Sequence, residues 1–331
     1  MKVLHAPIEI AGQIGVLCGA LRAKGNLASG YNFFSNYLGY RDYLMNADIF
    51  EMSKMFEAAC RYFDLFHYHY GLSIFPNFRD IEIVRSIGKP VVMHHWGSDV
   101  RTREKAKLNN PYVYTEDCPD AEKVHRDLTK LGQYVSDAIV QDYEVYDYVA
   151  PYYRRVHVIP IAINLDKFKP VYPDLNVQSP VIIHAPTNRE FKGTAVIEEA
   201  IEKLRKERDI RYVRIEKMSH SEAIKIYKNA DIIVDQILCG SYGLFSVEGM
   251  AFGKPVIAYL REDLAARKDA PPIHNANPET IYDVLKRLVD DPELRRSSGI
   301  AGRKHVKKIH SSEVVIEQIM DVYKIAMDED G

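Results

Sequence analysis

A glycine-rich loop opens a short apolar helix at Gly240-Ser-Tyr-Gly243-Leu244-Phe245-Ser-Val-Glu248, and a Gly-Lys-Pro turn then leads into the β-branched run Pro255–Tyr259. Free N–H groups and a partial positive charge at a helix start suit phosphate oxygens or sugar hydroxyls. Glu248 sits one turn into that helix among apolar neighbours, so its carboxylate needs a partner, and ligand hydroxyls can supply one. Upstream, Arg189 and Lys192 precede Gly193 at the start of an amphipathic helix. A guanidinium fork and a point-charge ammonium ahead of helical N–H groups suit a diphosphate, although the Walker A spacing is absent. The first loop, Glu9-Ile-Ala-Gly12-Gln13, also opens a helix; on its residues alone it reads equally as a diphosphate-receiving turn or a plain strand-to-helix turn.

Two strand ends concentrate histidine. In Phe66–Tyr70, period-two alternation puts His67 and His69 on one face, with His69 nearer the carboxyl end. His94 and His95 precede Trp96, Gly97, Ser98 and Asp99. A His–Asp pair suggests metal ligation or a base with its orienting carboxylate. No second cluster has ligand spacing, so binding of a hydroxylated acceptor is the favoured reading and no metal is expected. Met218-Ser219-His220 follows a strand end and can contact a nucleobase, while Asp235 reads as a cap or loop residue.

The elements that must position these residues alternate. Strands are expected at Lys2–His5, Phe66–Tyr70, Pro90–His95, Ala138–Gln141 and Val156–Pro160, then at Val181–His184, Tyr212–Glu216, Ile232–Asp235 and Pro255–Tyr259, with helices between. This predicts an α/β fold of two doubly wound parallel-sheet domains facing a central cleft, with ligands at the strands' carboxyl ends. Broken periodicity over Phe168–Pro180 places the boundary: residues 1–168, with a last helix near 312–331 packing back on them, and 169–311.

The 331 residues suit two domains, and the net charge of −2 gives no basis for non-specific nucleic-acid binding. Cys18, Cys60, Cys118 and Cys239 are scattered without a C-x-x-C pair, which fits a reducing cytoplasm, and the N-terminus reads as a strand. The basic residues Arg101, Arg103, Lys105 and Lys107 suit a solvated loop; peripheral contact with anionic lipid at the inner membrane face is the alternative. Oligomeric state is not legible.

In order, these pieces resemble a GT-B glycosyltransferase of the large retaining family 4. Four segments carry the resemblance: Gly12, Val158–Phe168, the Arg189/Lys192-Gly193 segment, and Gly240–Val256. The last is similar to the family's E-G-F-G-L-x-x-x-E-A-M-A-x-G-x-P-V, with Glu248 at the second Glu and Gly240 in place of the first. The resemblance implies sugar transfer from a nucleoside diphosphate sugar to a sugar, lipid-linked or other hydroxyl acceptor in glycoconjugate or polysaccharide synthesis, without metal or cofactor. It implies that Arg189, Lys192, Gly12 and Gln13 bind the diphosphate, that Gly243, Leu244, Phe245 and Glu248 bind sugar and ribose, and that Met218 and Ser219 bind the base. The catalytic residues it implies are His69, His95 and Asp99; the histidine of the family's H-G-[ST]-D-like loop falls on Trp96 in straight register, with His94 and His95 adjacent. A diphosphate oxygen takes the acceptor proton in such enzymes, so no protein nucleophile is required. A GT-B epimerase, or a non-catalytic nucleotide-sugar binder or partner subunit, are the rival readings.

Overall fold

Runs of Val, Ile and Leu that are buried on both faces can only be interior strands of parallel sheets. The computed structural model describes residues 1–328 and contains two such sheets. The chain divides into one unit of Met1–Arg103, Cys118–Ala162 and the C-terminal helix, and a second of Glu104–Asp117 and Ile163–Ser311. The division thus falls at Ala162/Ile163 and not after Phe168, and the 104–117 segment joins the second unit. Residues 329–331 of the expected last helix lie outside the described residues.

In the first unit the strands are β1 (Lys2–Ala6), β2 (Leu27–Asn32), β3 (Leu44–Asn46), β4 (Leu65–His69), β5 (Val91–His95), β6 (Asp137–Val140) and β7 (Arg155–Val158). They form one parallel sheet in the order β3-β2-β1-β4-β5-β6-β7. One face buries Leu4, Phe66, Tyr68 and Met93 beneath the Ile49–Tyr62, Arg79–Ser86 and Ala121–Tyr134 helices. The other buries Val3, Leu65, Val92 and Ile139 beneath the Gln13–Ala23 and Ser312–Asp328 helices. Strand order reverses between β1 and β4, so the loops after those two strands flank the switch point where doubly wound sheets hold ligands.

The second unit contains β8 (Val181–His184), β9 (Arg211–Arg214), β10 (Ile232–Val234), β11 (Val256–Ala258) and β12 (His274–Asn275), parallel and ordered β12-β11-β10-β8-β9. Its switch point lies between β8 and β10, which brings the Ala185–Gly193 loop beside the Asp235–Gly243 loop. Gly193 links them. It turns at φ +76°, and a Cβ there would meet Ile237 Cγ1 at 2.8 Å.

The Leu244–Ala251 helix is fixed from behind by the Pro292–Ile309 helix. That contact is so close that a Cβ on Gly299 would lie 2.0 Å from the Gly253 carbonyl oxygen. Gly299→Ala is therefore expected to cost about 3 kcal/mol or more through backbone displacement, read as a lowered denaturation midpoint.

Candidate functional site

The second unit gathers charge at its switch point. Asn188 caps the short Arg189–Lys192 helix by accepting from Phe191 N, so the two cations leave from one turn. Behind them, His184 donates from Nδ1 to the Val234 carbonyl and accepts at Nε2 from the Thr194 hydroxyl, both at 2.9 Å, and so ties β8 to β10 and to the helix after Gly193. Burial pushes that imidazole down to about 4, so it is a neutral tie.

Lys192 is buried and donates from Nζ to Asp235 Oδ1 at 2.5 Å. Asp235, fully buried, accepts at Oδ2 from Gly243 N at 3.1 Å, Ser246 N at 3.2 Å and Ser246 Oγ at 2.7 Å. Burial raises a carboxyl, but Lys192 together with the Ser246 hydroxyl and the Gly243 N–H outweighs it and holds Asp235 below the usual range. Asp235 is thus more than a strand cap: it clamps Lys192 to the start of the Leu244–Ala251 helix. The N–H groups of Leu244 and Phe245, the first two residues of that helix, have no hydrogen bond within the chain among the described residues.

Arg189, with its side chain half exposed, forks onto Glu216 at 2.6 and 2.5 Å, and Arg214 reaches the same carboxylate. Glu248 is buried as expected of a carboxylate in that helix, but its partner is the chain's own His220. Ser219 caps the His220–Tyr227 helix in a capping box with Glu222, so its hydroxyl is engaged, and Met218 packs against the core. Phe245 is a core residue stacked obliquely on Tyr227, while Gly243 and Leu244 are half-buried. Gly240 cannot be exchanged for a glutamate in place: φ is +85° and a Cβ would lie 2.7 Å from Arg261 Cγ.

In the first unit the expected catalytic side chains are saturated. His95 Nδ1 meets Asp99 Oδ2 at 2.6 Å and its Nε2 meets the Tyr153 hydroxyl at 2.8 Å. Asp99 Oδ1 accepts from Trp96 N and Gly97 N, each at 2.9 Å, which moors the Trp96–Asp99 loop. His69 is fully buried, with Nε2 3.0 Å from His5 Nδ1 and Nδ1 facing the Trp96 indole N–H at 3.4 Å. These contacts make the three residues positioning groups in this structure. His94 is also buried, stacked on Trp96 at 4.0 Å, and among the described residues neither of its ring nitrogens has a partner.

The loop after β1 differs from its reading as a phosphate turn. Glu9 folds back and accepts from Ile14 N at 3.2 Å and Gly15 N at 3.1 Å, filling the N-terminus of the Gln13–Ala23 helix with the chain's own carboxylate. Gln13 is locked to Ala162 through both ends of its amide, at 3.0 and 2.9 Å. A Cβ on Gly12 would lie 2.8 Å from the Tyr40 ring, so that ring covers the glycine. Arg101, in the basic run, is also removed from any headgroup: it is buried in a two-pronged bond to Glu144 at 2.9 and 2.6 Å.

Both sheets, their strand orders and their switch-point loops define a chain with the GT-B glycosyltransferase fold. No protein-family model matches it. It is similar over 166 residues, at 25% identity, to D-inositol 3-phosphate glycosyltransferase of Corynebacterium urealyticum, covering 48% of this chain and 38% of that one. The chain therefore spans less than half the length of that curated relative. Among solved structures it superposes on a sucrose-phosphate synthase from Thermosynechococcus elongatus with a TM-score of 0.66 at 15% identity, covering 99% of this chain and 100% of the other. An α-glucosyltransferase solved with UDP-glucose and DNA containing an abasic site gives 0.64 at 10% identity over 97% and 99%. No helix among the described residues is long and apolar enough to cross a membrane.

Proposed function

We propose that this chain is a retaining glycosyltransferase that moves a sugar from a nucleoside diphosphate sugar to an acceptor hydroxyl, with the donor diphosphate held on the second unit. The observation that carries the reading is the Lys192–Asp235 clamp at the start of the Leu244–Ala251 helix, in a GT-B fold. Departure of the diphosphate develops charge, and groups fixed in advance where that charge appears lower the barrier most. Asp235 fixes one Nζ–H of Lys192 and leaves the ammonium's other donors for phosphate oxygens. The open N–H groups of Leu244 and Phe245 supply two further donors, and Arg189 exchanges one arm from Glu216 to phosphate. Ribose hydroxyls then take the place of His220 on Glu248.

The acceptor side follows from the moored loop. His95, Asp99 and Tyr153 hold the Trp96–Asp99 backbone in place, and a diphosphate oxygen takes the acceptor proton, so neither His69 nor His95 needs a free nitrogen. With the N–H groups of Ile14 and Gly15 at the start of the Gln13–Ala23 helix taken by Glu9, the diphosphate role of Gly12 and Gln13 is secondary to that of Lys192.

A panel of nucleoside diphosphate sugars, assayed for released nucleoside diphosphate and for transferred sugar, tests this directly. Arg189→Ala is expected to lower turnover about 10- to 100-fold with the melting temperature nearly unchanged, since its ion pair is exposed. Unchanged turnover would remove Arg189 from the diphosphate site. Tight nucleotide binding with no turnover on any donor would favour a non-catalytic binder.

A further inference from the structure

The segment after β2 displays aromatic rings that the donor chemistry does not use. Phe33, Phe34 and Tyr37 are exposed there, Phe34 and Tyr37 by 55% and 53% of their surface. Among the described residues none of the three rings stacks on another ring, and the Tyr37 hydroxyl has no hydrogen bond. Clustered apolar surface left open on a folded chain marks a place where something binds.

The segment is held in place at both ends. At its root the Asn32 amide oxygen accepts from Glu9 N at 3.0 Å and from Phe34 N at 3.3 Å. The same amide donates to the Phe34 carbonyl at 2.8 Å and to Asn46 Oδ1 at 2.9 Å, and Phe33 N donates to the Pro7 carbonyl at 3.0 Å. The far end lies along Gly12, Gly15 and Gly19. A Cβ on those glycines would meet the Tyr40 ring at 2.8 Å, the Asp42 carbonyl oxygen at 2.8 Å and the Tyr43 ring at 3.0 Å. Strands β1, β2 and β4 are parallel, so the segment leaves the same edge of the sheet as the loops that flank the switch point. Its root and its far end both touch the loop after β1.

Charge decides which partner suits these rings. From Phe33 to Ala47 there is one cation, Arg41, and one anion, Asp42. The Arg22 guanidinium, 5.0 Å from the Tyr43 ring centre, is engaged by the Ala28 carbonyl and the Ser29 hydroxyl. Further on, Asp48 and Glu51 form a capping box beside the exposed Phe50. A surface with no excess of positive charge, flanked by carboxylates, does not draw anionic headgroups. It suits a neutral molecule with apolar faces and a rim of hydroxyls. A hexopyranose is such a molecule: its C–H groups meet the negative face of an aromatic ring, and its hydroxyls meet exposed side chains such as Ser35 and Asn36.

We propose that Phe33, Phe34 and Tyr37 form a platform for a neutral glycan chain. The acceptor is then an oligosaccharide or polysaccharide whose units beyond the one receiving the sugar rest on these rings. That identity of the acceptor rests on the transferase reading; the platform is tested without a donor.

Neutral hexose oligomers of increasing length, drawn from α- and β-linked glucans, mannans and galactans, are titrated by calorimetry into the full chain. At least one series is expected to bind, more tightly as the oligomer lengthens. Phe34→Ala and Tyr37→Ala should each weaken the longest oligomer about 3- to 10-fold, and Tyr37→Phe, which keeps the ring, should not. Both side chains are exposed, so the melting temperature should stay unchanged in all three. Binding to no series, affinity independent of length, or undiminished affinity in both alanine variants would overturn the platform. Binding to vesicles of phosphatidylcholine and phosphatidylglycerol but to no glycan, or a dimer, if either is lost in Phe34→Ala, would give the rings another partner and overturn it equally. Glycan binding of the expected kind with no turnover on any donor would refute the transferase reading and leave the platform standing.

Discussion

Lys192→Ala is expected to reduce turnover about 100- to 1,000-fold, the loss typical of removing one preorganised donor from a developing oxyanion. The same change leaves Asp235 charged, fully buried and without its cation. Breaking a buried pair on one side costs about 3–5 kcal/mol, so the melting temperature falls as well. The two effects separate in Lys192→Met combined with Asp235→Asn. The asparagine oxygen still accepts from Gly243 and Ser246, and no charge is left behind, so stability recovers. Turnover does not recover, because the cation is gone. Recovery of both would make Lys192 purely structural and would move the diphosphate away from this helix start.

The second large effect is a pH dependence at Glu9. Burial pushes this carboxyl up from 4.5 to about 7, although the Gly15 and Ile14 N–H groups, followed by Gln13 and Gly12, pull it down. A carboxyl whose folded value is raised favours the folded state while protonated. Its contribution is therefore full below 4.5 and is lost as pH rises through 7. From pH 5 to pH 8 the loss amounts to about 2–3 kcal/mol. Buried histidines pull the other way: His184, held near 4, favours the folded state above its unfolded value. The Glu9 share is thus read as a difference. Denaturant unfolding of wild type and Glu9→Gln at the two pH values should show the gap moving by about 2–3 kcal/mol in the variant's favour at pH 8. A gap independent of pH would mean that the four amides dominate and that Glu9 is ionised throughout.

The strands that form each sheet's centre were legible because they are continuous apolar runs. β2 and β3 were not. β2, Leu27–Asn32, has no β-branched residue and contains Gly30, yet a Cβ there would lie 2.4 Å from Ile14 Cγ2, so the glycine is what lets the Gln13–Ala23 helix pack on the sheet. β3 has three residues, too few for any periodicity. The assignment of 104–117 to the second unit rests on contacts such as Asn110 Nδ2 donating to the Leu238 carbonyl, 128 residues away, which no local signal announces.

The charged loops were legible by residue type and helix starts; their partners were not. Arg189 and Lys192 stood out as cations, but Glu216 and Asp235, which hold them, come from other strand ends. Glu9 was visible only as a loop residue, because its capture of Ile14 and Gly15 depends on the left-handed turn at Ala11 and Gly12. His5 lies 62 residues from His67, and only the β1–β4 register joins them.

Calorimetric titration of the full chain with UDP, ADP and GDP, each against its parent nucleoside, tests the central claim most directly. At least one diphosphate is expected to bind, its nucleoside far more weakly, and the heat is expected to disappear in the Lys192→Met, Asp235→Asn double variant. Equal affinity for nucleoside and diphosphate, or undiminished diphosphate binding in that variant, would contradict it.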